Sequence, residues 1–593
     1  MDLVFDAPQV VSLLGGFLAL FFLLELLRSS LKSRPRVFLA VNLFLFVLYL
    51  VLGFYHHHTR QSFDFALIVD NWKLLLGGTA WGNVGDLAGA IFQPQDYRFS
   101  LVVLVIFAFF LRKDLRAFPR MKIWPGSLSL GLCLLVATVN LFLLDYTTDE
   151  FSNLAASVRA RLIDRQNFIQ RQYVVRSKEI FPFMRDIGLA GQGAKAPPNI
   201  LLVLVESFNA NFVEVRSASG REITPVYNRL IRQGRYYEQF YGAAVQTSDG
   251  QFAALCGLLP RFRGKAMTND PDKSFLCAPE VLRRQGYRTF FSHAYPHPTF
   301  DNTQGFLTKN GIEEMRLFSD CQGADQKLCW GWGLADDVFF QRAVGYLSKT
   351  MRPGHPFLAV LSTISSHMSF EDVPPDFRLI NENPVSRRDH YENAIHYADR
   401  ALGILMEEIK TSPFAGNTVV LITGDHSFPL GEHGNFHNEN YAYEESYRTP
   451  MLILDLRKSP REERLGGRYS QLGIPATLLD LAGLKKVHAP FLLDSLYLPP
   501  PKMTYHIQPY AGTYLAVAQD GLKYIFWEGR RKEFLYDLKN DPLESLNVID
   551  QYRGTEILEQ LRAGIGRIYQ NQDLIRMDRI WPQEPPPPAS RRN

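Results

Sequence analysis

Long apolar runs dominate the first quarter of the chain, and shorter β-branched runs separated by polar segments follow from about residue 196. The long apolar runs cover residues 10–27, 37–55, 99–111 and 126–144. Three of them have 18 or 19 residues, close to the ~20 that a membrane-spanning helix needs, whereas the run at 99–111 has 13. The pattern predicts a transmembrane domain of about four helices over residues 1–150.

Basic residues between the apolar runs predict how these helices are oriented. Arginine and lysine cluster at 28–36 and again at 112–122. Such clusters favour the cytoplasmic side, which places both termini outside. The charged, mildly apolar segment 65–92 is interpreted as an interfacial or re-entrant element, with a fifth span as the alternative. The predicted location is therefore the cytoplasmic (inner) membrane, multi-pass, with the C-terminal domain on the external or periplasmic side.

The remaining chain divides into four predicted parts. Residues 151–195 carry apolar and basic residues at helical spacing and form a helical connector, either a solvated linker or a helix lying on anionic lipid. Residues 196–500 have the strand and helix pattern of an α/β domain, and 501–580 form its C-terminal subdomain. The proline-rich, charged tail at 581–593 is predicted to be disordered.

Two strand patterns end in side chains that could bind a cation. The run NILLVLV (199–205) is followed by Glu206, and NTVVLITG (417–424) is followed by Asp425 and His426. Parallel strands of an open α/β sheet deliver such residues to one edge, where ligands bind. Thr247 begins the helix-like run TSDGQFAALC. A lone threonine there is usually a helix cap, but beside these acids and the imidazole it forms a candidate metal-activated nucleophile.

These segments resemble the alkaline phosphatase/sulfatase superfamily, and most closely its lipoteichoic-acid-synthase-like phosphoglycerol transferases. The resemblance covers about residues 196–550 and implies an α/β sulfatase-like catalytic domain with a mixed, mostly parallel central sheet. It implies that Thr247 is the nucleophile and that one divalent metal is bound, with Mn²⁺ expected and Mg²⁺ or Zn²⁺ as alternatives. The implied metal ligands are Glu206, Thr247, Asp425 and His426. Sulfatases proper carry C-x-P-S-R where this chain has TSDGQ, which disfavours sulfate-ester hydrolysis.

The same resemblance implies a set of substrate contacts. The expected substrate-binding residues are His293, Asp301, Asn302, His367 and His433. His293 matches a family histidine of the glycerol-phosphate pocket, and the segment FDN (300–302) stands where the family has Trp-Asn-Arg. The missing arginine leaves the identity of the head group open. His367 follows a strand pattern and is expected to contact the phosphate and to donate a proton to the leaving group.

The predicted reaction moves a phosphoglycerol head group from phosphatidylglycerol through Thr247 to a hydroxyl of a glycan or polyol-phosphate acceptor. The alternatives are a phosphoethanolamine transferase, a sulfatase-like phosphodiesterase or hydrolase, and an inactive sulfatase-like binding protein. A nucleic-acid partner is not indicated, because the 593 residues carry a net charge of only +4.

The cysteines also bear on where the domain resides. Four of the five lie after the predicted nucleophile, and an even set in an exported domain favours disulfides. Sequence proximity pairs Cys256 with Cys277 and Cys321 with Cys329. Four buried free thiols are the alternative.

Overall fold

A computed structural model describes most of the chain from residue 167 to residue 582. The residues it leaves undescribed within that range are 176, 193–195, 262–264, 272, 353, 437–440, 511–512 and 530. Before residue 167 it describes positions 37, 40, 41 and 44, so the predicted membrane helices, much of the connector and nearly all of the tail lie outside the described residues. In the part that is described, no helix is both long and apolar enough to cross a bilayer.

Strands and helices follow one another along the chain. The described strands are β1 (Arg185–Asp186), β2 (Asn199–Val205), β3 (Arg235–Tyr241), β4 (Arg288–His293), β5 (Glu314–Met315), β6 (Cys329–Trp330), β7 (Gly333–Leu334), β8 (Phe357–Ser362), β9 (Thr418–Gly424), β10 (Met451–Asp455), β11 (Glu463–Ser470), β12 (His488–Ala489), β13 (Thr504–Gln508), β14 (Tyr514–Gln519), β15 (Leu522–Trp527) and β16 (Lys532–Asp537). The described α-helices are α1 (Phe168–Gln172), α2 (Pro225–Ile231), α3 (Thr247–Cys256), α4 (Ala266–Asn269), α5 (Ala278–Arg284), α6 (Thr303–Lys309), α7 (Asp336–Thr350), α8 (Arg387–Thr411), α9 (Ile474–Leu481) and α10 (Glu556–Arg576).

An eight-stranded sheet forms the centre of this unit. Its order is β11-β3-β10-β9-β2-β8-β4-β5. Among these strands β10 alone runs antiparallel to its neighbours, and the other pairs are parallel. The predicted mixed, mostly parallel sheet is therefore confirmed.

The sheet is covered on both faces, which explains why its central strands are mostly apolar. All seven residues of β2 are buried. Ile200, Leu202 and Leu204 belong to the core on one face, whereas Leu201 and Val203 belong to the core on the other. Each such side chain contributes about 1.5–3 kcal/mol of transfer free energy when it is removed from water. A shift in register would move the polar residues that flank β2 into one core or the other. The burial of both faces therefore helps to fix the register of the strand.

A second, antiparallel sheet in the order β13-β14-β15-β16 completes the fold, and a buried ionic cluster joins it to the loop before β10. Lys523 on β15 is fully buried and lies 3.0 Å from Glu444 and 2.9 Å from Glu544. Arg468 on β11 binds both oxygens of Glu444, at 2.6 and 2.9 Å. Breaking such a pair leaves a buried charge and costs about 3–5 kcal/mol, so these four residues tie the two sheets together.

A buried carboxylate from α8 secures the start of α2. Thr224 occupies the cap position of α2, but its hydroxyl donates to the carbonyl of Phe212 at 3.2 Å instead of capping the helix. The first turn is satisfied by Asp399, whose two oxygens accept from the backbone N–H groups of Val226 at 2.8 Å and Tyr227 at 2.7 Å. One side chain thus supplies the acceptors that the helix end lacks.

We predict that Asp399→Ala lowers the free energy of unfolding by about 1–3 kcal/mol, because two backbone N–H groups lose their acceptor. Thermal unfolding of the full-length protein in detergent measures the loss. Asp376→Ala, at an exposed acid in the loop between β8 and α8, is the matched control and should stay within about 0.5 kcal/mol of the wild type. Equal losses in the two variants would contradict the capping role.

Candidate active site

The pairing of β2 with β9 brings three predicted metal ligands to one edge of the sheet. The strands are parallel, with Val205 beside Gly424, so the residues that follow them share that edge. One ligand atom from each of Glu206, Asp425 and His426 lies within 4.8 Å of the others. All three side chains are at most 3% exposed. The predicted strand ends therefore converge.

The donor atoms of this cluster fit a divalent cation. Nδ1 of His426 lies 2.8 Å from the carbonyl of Ser427 and donates to it, so the lone pair sits on Nε2. That nitrogen faces Glu206 at 3.5 Å and Asp425 at 3.7 Å. Oδ1 of Asp425 accepts from two backbone N–H groups, whereas its Oδ2 is buried without a hydrogen-bond partner. Two carboxylates and an oriented imidazole suit Mn²⁺, Mg²⁺ or Zn²⁺.

Burial and the repulsion between Glu206 and Asp425 make two negative charges in this cluster unfavourable when no cation is bound. Burial, followed by the neighbouring Glu206, raises the pKa of Asp425 to about 7. Burial lowers the pKa of His426, but Asp425 and Glu206 raise it by more, and the net shift is upward. A cation and a proton therefore compete for the Asp425 carboxylate. The affinity for metal should fall as the pH drops below about 7 and that carboxylate becomes protonated.

Thr247 lies against this cluster at the start of α3. Its hydroxyl donates to Oε2 of Glu206 at 3.1 Å. Thr247 is the first residue of the ten-residue helix, where unpaired backbone N–H groups and the helix dipole favour an anion. A hydroxyl held in this position can attack a phosphorus atom, and the helix end can stabilise the negative charge that develops.

A close contact between α3 and Asp425 holds Thr247 next to the cluster. This contact depends on Gly250 and Gln471, and neither residue was predicted. Gly250 faces Asp425 so closely that a Cβ there would lie 2.1 Å from the carbonyl oxygen of Asp425. Gln471 donates to that same oxygen at 2.8 Å and accepts from the N–H of Ala243 at 3.2 Å. A glycine inside a helix costs about 1 kcal/mol, and its presence in TSDGQ was the available signal. Gln471 carried no comparable signal.

A solvent-open cleft with an empty volume of about 650 Å³ extends from Thr247. Its described lining includes three of the predicted substrate contacts, His293, Asp301 and His367, but neither Asn302 nor His433. Asn302 donates to the carbonyl of Met267 at 2.7 Å. The resemblance predicted a substrate role for these two side chains, and that role stays a prediction.

His433 forms its hydrogen bonds away from the described cleft lining. Its Nδ1 lies 2.9 Å from Glu445, and its Nε2 bonds with the carbonyl of Leu543. Its ring stacks on Tyr443 with the centroids 3.9 Å apart. The hydrogen bond with Glu445 raises the pKa of His433. These contacts join the loop after β9 to the C-terminal segment after β16.

Two of the histidines that line the cleft, His293 and His367, are kept neutral at pH 7 by burial. Burial lowers the pKa of His293 to about 4 and that of His367 to about 4. Nδ1 of His367 donates to the carbonyl of Met368 at 2.7 Å, which leaves Nε2 as an acceptor. A phosphate anion beside His367 would raise its pKa and favour protonation at Nε2.

Asp249 is a further buried acid of the site that sequence reasoning passed over. Both of its carboxylate oxygens are buried without a hydrogen-bond partner. Burial raises its pKa to about 7, while Lys265 opposes the shift. The pattern offered little signal, because Asp249 lies among polar residues in the first turn of α3, where an acid is common.

Two disulfides lie near the site. They join Cys256 to Cys277 and Cys321 to Cys329, the two pairs expected from sequence proximity. The first ties the end of α3 to the residue before α5, and the second closes the loop that leads into the β6–β7 hairpin.

Residues 198–484 match the sulfatase family model. A sulfatase from Formosa agariphila is 24% identical over 438 residues, which cover 62% of this chain and 86% of the relative. A lipoteichoic acid synthase from Staphylococcus saprophyticus is 28% identical over 309 residues, which cover 49% of this chain and 46% of the relative, about half of each. The crystal structure of the lipoteichoic acid synthase LtaP from Listeria monocytogenes superposes with a TM-score of 0.51 at 19% identity, and covers 66% of this chain and 94% of that one. At that identity the superposition establishes the shared fold.

The sequence match and the fold therefore make the described domain similar to proteins of the alkaline phosphatase/sulfatase superfamily. Within that superfamily the chain is similar to the lipoteichoic acid synthases, as the sequence segments around Glu206, Thr247 and Asp425 predicted.

We predict that Asp425→Asn abolishes stoichiometric metal binding, since one charge of the ligand pair and the unpartnered oxygen are lost. Metal content of the purified full-length protein measures this, together with the rise in unfolding temperature on adding Mn²⁺. At a metal concentration of 100 times Kd the wild type should gain about 2.7 kcal/mol. Asp376→Asn, at an exposed acid, should bind metal as the wild type does. Undiminished metal in the Asp425→Asn protein would refute the site.

We also predict that Gly250→Ala reduces metal affinity and lowers the free energy of unfolding by about 1–3 kcal/mol, because the added Cβ must push α3 away from Asp425. Gly345→Ala in α7 is the matched control. Its Cβ would meet nothing within 4 Å, so it should be neutral or stabilising by up to about 1 kcal/mol. If both glycines tolerate alanine equally, the contact with Asp425 does not position the site.

Proposed function

We propose that this chain is a membrane-anchored, metal-dependent transferase that moves the phosphoglycerol head group of phosphatidylglycerol to a hydroxyl acceptor through a covalent threonine intermediate. The observation that carries the proposal is the Thr247 hydroxyl, which lies 3.1 Å from a buried carboxylate of the metal cluster at the start of a helix. The likeness to lipoteichoic acid synthases supports the same assignment.

The donor half-reaction forms one bond and breaks another at phosphorus. Glu206 orients the Thr247 hydroxyl, which loses its proton to water in the open cleft. The Thr247 oxygen attacks the phosphodiester phosphorus of the lipid, and the bond from phosphorus to the diacylglycerol oxygen breaks. Glu206, Asp425 and His426 would hold a divalent cation, which would supply positive charge that favours the ionised hydroxyl and screens the phosphate. The N-terminal amides of α3 add to that stabilisation.

His367 is the candidate donor of the proton that the departing diacylglycerol needs. It lines the cleft beside Thr247, and its pKa is about 4 when the cleft holds no anion. The negative phosphate raises that pKa, so the imidazole becomes protonated where the leaving oxygen requires it. In the second half-reaction the neutral imidazole can take a proton from the acceptor hydroxyl.

The cleft favours a neutral head group over a cationic one. Asp301 is the acid among the predicted head-group contacts, and its carboxylate is already paired with Lys265. An ethanolammonium group would need an acid that is not neutralised in this way, whereas glycerol needs only hydrogen bonds. Phosphoethanolamine transfer is therefore the weaker candidate. Hydrolysis by a sulfatase-like enzyme remains the other, because a relative named as a sulfatase matches over 62% of the chain.

The role of Thr247 is tested with one variant that lacks the hydroxyl and one that keeps it. Thr247→Ala should reduce diacylglycerol release from phosphatidylglycerol vesicles roughly a thousandfold or more, whereas Thr247→Ser should keep part of the activity. Peptide mapping of the wild type after brief exposure to the lipid should place a phosphoglycerol adduct on Thr247. Vesicles of phosphatidylethanolamine, and a sulfate ester, test the two rivals. Full turnover by the Thr247→Ala protein, or an adduct on another residue, would end the proposal.

A further inference from the structure

A tryptophan lies at the tip of the β6–β7 hairpin, where it adds nothing to the core. The hairpin turns through Gly331 and Trp332, with Gly331 at φ 61°. The Trp332 side chain is 42% exposed, yet it lines the cleft beside Thr247. A large aromatic ring kept in water at the rim of a candidate active site has no structural reason to be there and is typical of a ligand-binding surface.

The hairpin and the ring are held in place from several sides. The Cys321–Cys329 disulfide closes the loop that leads into it. Gly333 packs so close to the end of β4 that a Cβ would lie 2.5 Å from the carbonyl oxygen of Ala294. The indole N–H of Trp332 donates to the carbonyl of Met368 at 3.1 Å. The polar edge of the ring is thus satisfied and fixed, which leaves its exposed face to make contacts.

Trp332 belongs to a row of rings that runs outward from the reacting centre. Its centroid lies 4.5 Å from that of His367 and 6.2 Å from that of Tyr295. Tyr295 in turn lies 5.3 Å from Phe300, which is also 42% exposed. Trp332, Tyr295 and Phe300 all line the cleft, and we call these three residues the aromatic rim.

We propose that the aromatic rim is the acceptor subsite of the transferase and that the acceptor is a carbohydrate. A sugar ring presents a face of C–H groups, which packs on aromatic rings, and a girdle of hydroxyls, which bond with polar groups between those rings. The rim offers both, since the imidazole of His297 lines the cleft with its centroid 5.2 Å from that of Tyr295. This inference rests on the proposed function, because it names the acceptor of the same Thr247 site.

Two other acceptor-side ligands fit the rim less well. A polyol-phosphate chain carries a negative charge on every unit and needs cations along its path. Lys265 lies 5.7 Å from the Phe300 ring, but its charge is already paired with Asp301, and the rim itself consists of uncharged rings. A lipid chain needs a continuous apolar lining, which the polar residues between the rings interrupt. A neutral glycan satisfies both the rings and the polar groups.

The transfer step on such an acceptor balances without any further reactant. A sugar hydroxyl attacks the phosphorus of the phosphoglycerol-threonine, a new bond forms from sugar oxygen to phosphorus, and the bond from phosphorus to the Thr247 oxygen breaks. The proton of the sugar hydroxyl passes to His367 and returns to the freed threonine oxygen. A ring stacked on Trp332 lies beside His367, as this proton transfer requires.

Binding to the catalytically silent protein tests the subsite without relying on turnover. Full-length Thr247→Ala protein in detergent is titrated calorimetrically with a neutral gluco-oligosaccharide, with an oligomer of glycerol phosphate, and with short-chain diacylglycerol. The oligosaccharide should bind saturably, and Trp332→Ala or Tyr295→Ala in that background should weaken it roughly tenfold or more. Trp332→Phe should recover most of the affinity, because it keeps an aromatic face. Phe436→Ala, at an aromatic that is 40% exposed and outside the cleft lining, is the matched control and should change nothing.

Three results would overturn the inference. The first is an oligosaccharide affinity that does not change when Trp332 or Tyr295 is replaced by alanine. The second is tighter binding of the glycerol-phosphate oligomer that depends on these residues. The third is binding of diacylglycerol alone that depends on them. These outcomes are separable from failure of the proposed function. A wild-type protein that binds the oligosaccharide through the rim but never forms a threonine adduct would refute the transferase and leave the carbohydrate site standing.

Discussion

The parallel register between β2 and β9 is the constraint on which the candidate site depends. It sets Val205 beside Gly424, so that Glu206 and Asp425 leave the sheet as neighbours with almost no contact with water. Two carboxylates placed this way repel each other, and only a cation or a proton relieves the repulsion. The apolar strands supply the rigidity that holds these charges together against that repulsion.

Much of this arrangement is local, and local patterns are what a sequence displays. Continuous β-branched runs predicted β2 and β9, and the helix pattern after Thr247 predicted α3, because each depends on residues within one segment. Gln471 could not be predicted in the same way. It lies 46 residues from Asp425, and it meets that carbonyl only because α9 and the turn before it pack against α3. Its role exists in the tertiary packing alone.

Motif matches were informative about position and silent about side-chain direction. Asn302 and His433 lie in segments that resemble the family, yet Asn302 bonds with the carbonyl of Met267 and His433 bonds with Glu445. A change of backbone conformation at one residue redirects its side chain while leaving the sequence match intact. Trp332 shows the opposite case. No predicted catalytic, metal-binding or substrate-binding residue lies in its segment, yet its ring lines the cleft.

The buried cluster around Lys523 has a consequence for how the gene can change. Lys523 and Glu544 come from the last quarter of the chain, whereas Glu444 and Arg468 come from the sulfatase-matching region. A recombination event that exchanged only one of these pieces would bring together a buried cation and a mismatched pocket. Because the cluster spans both pieces, a change of charge on one side needs a compensating change on the other.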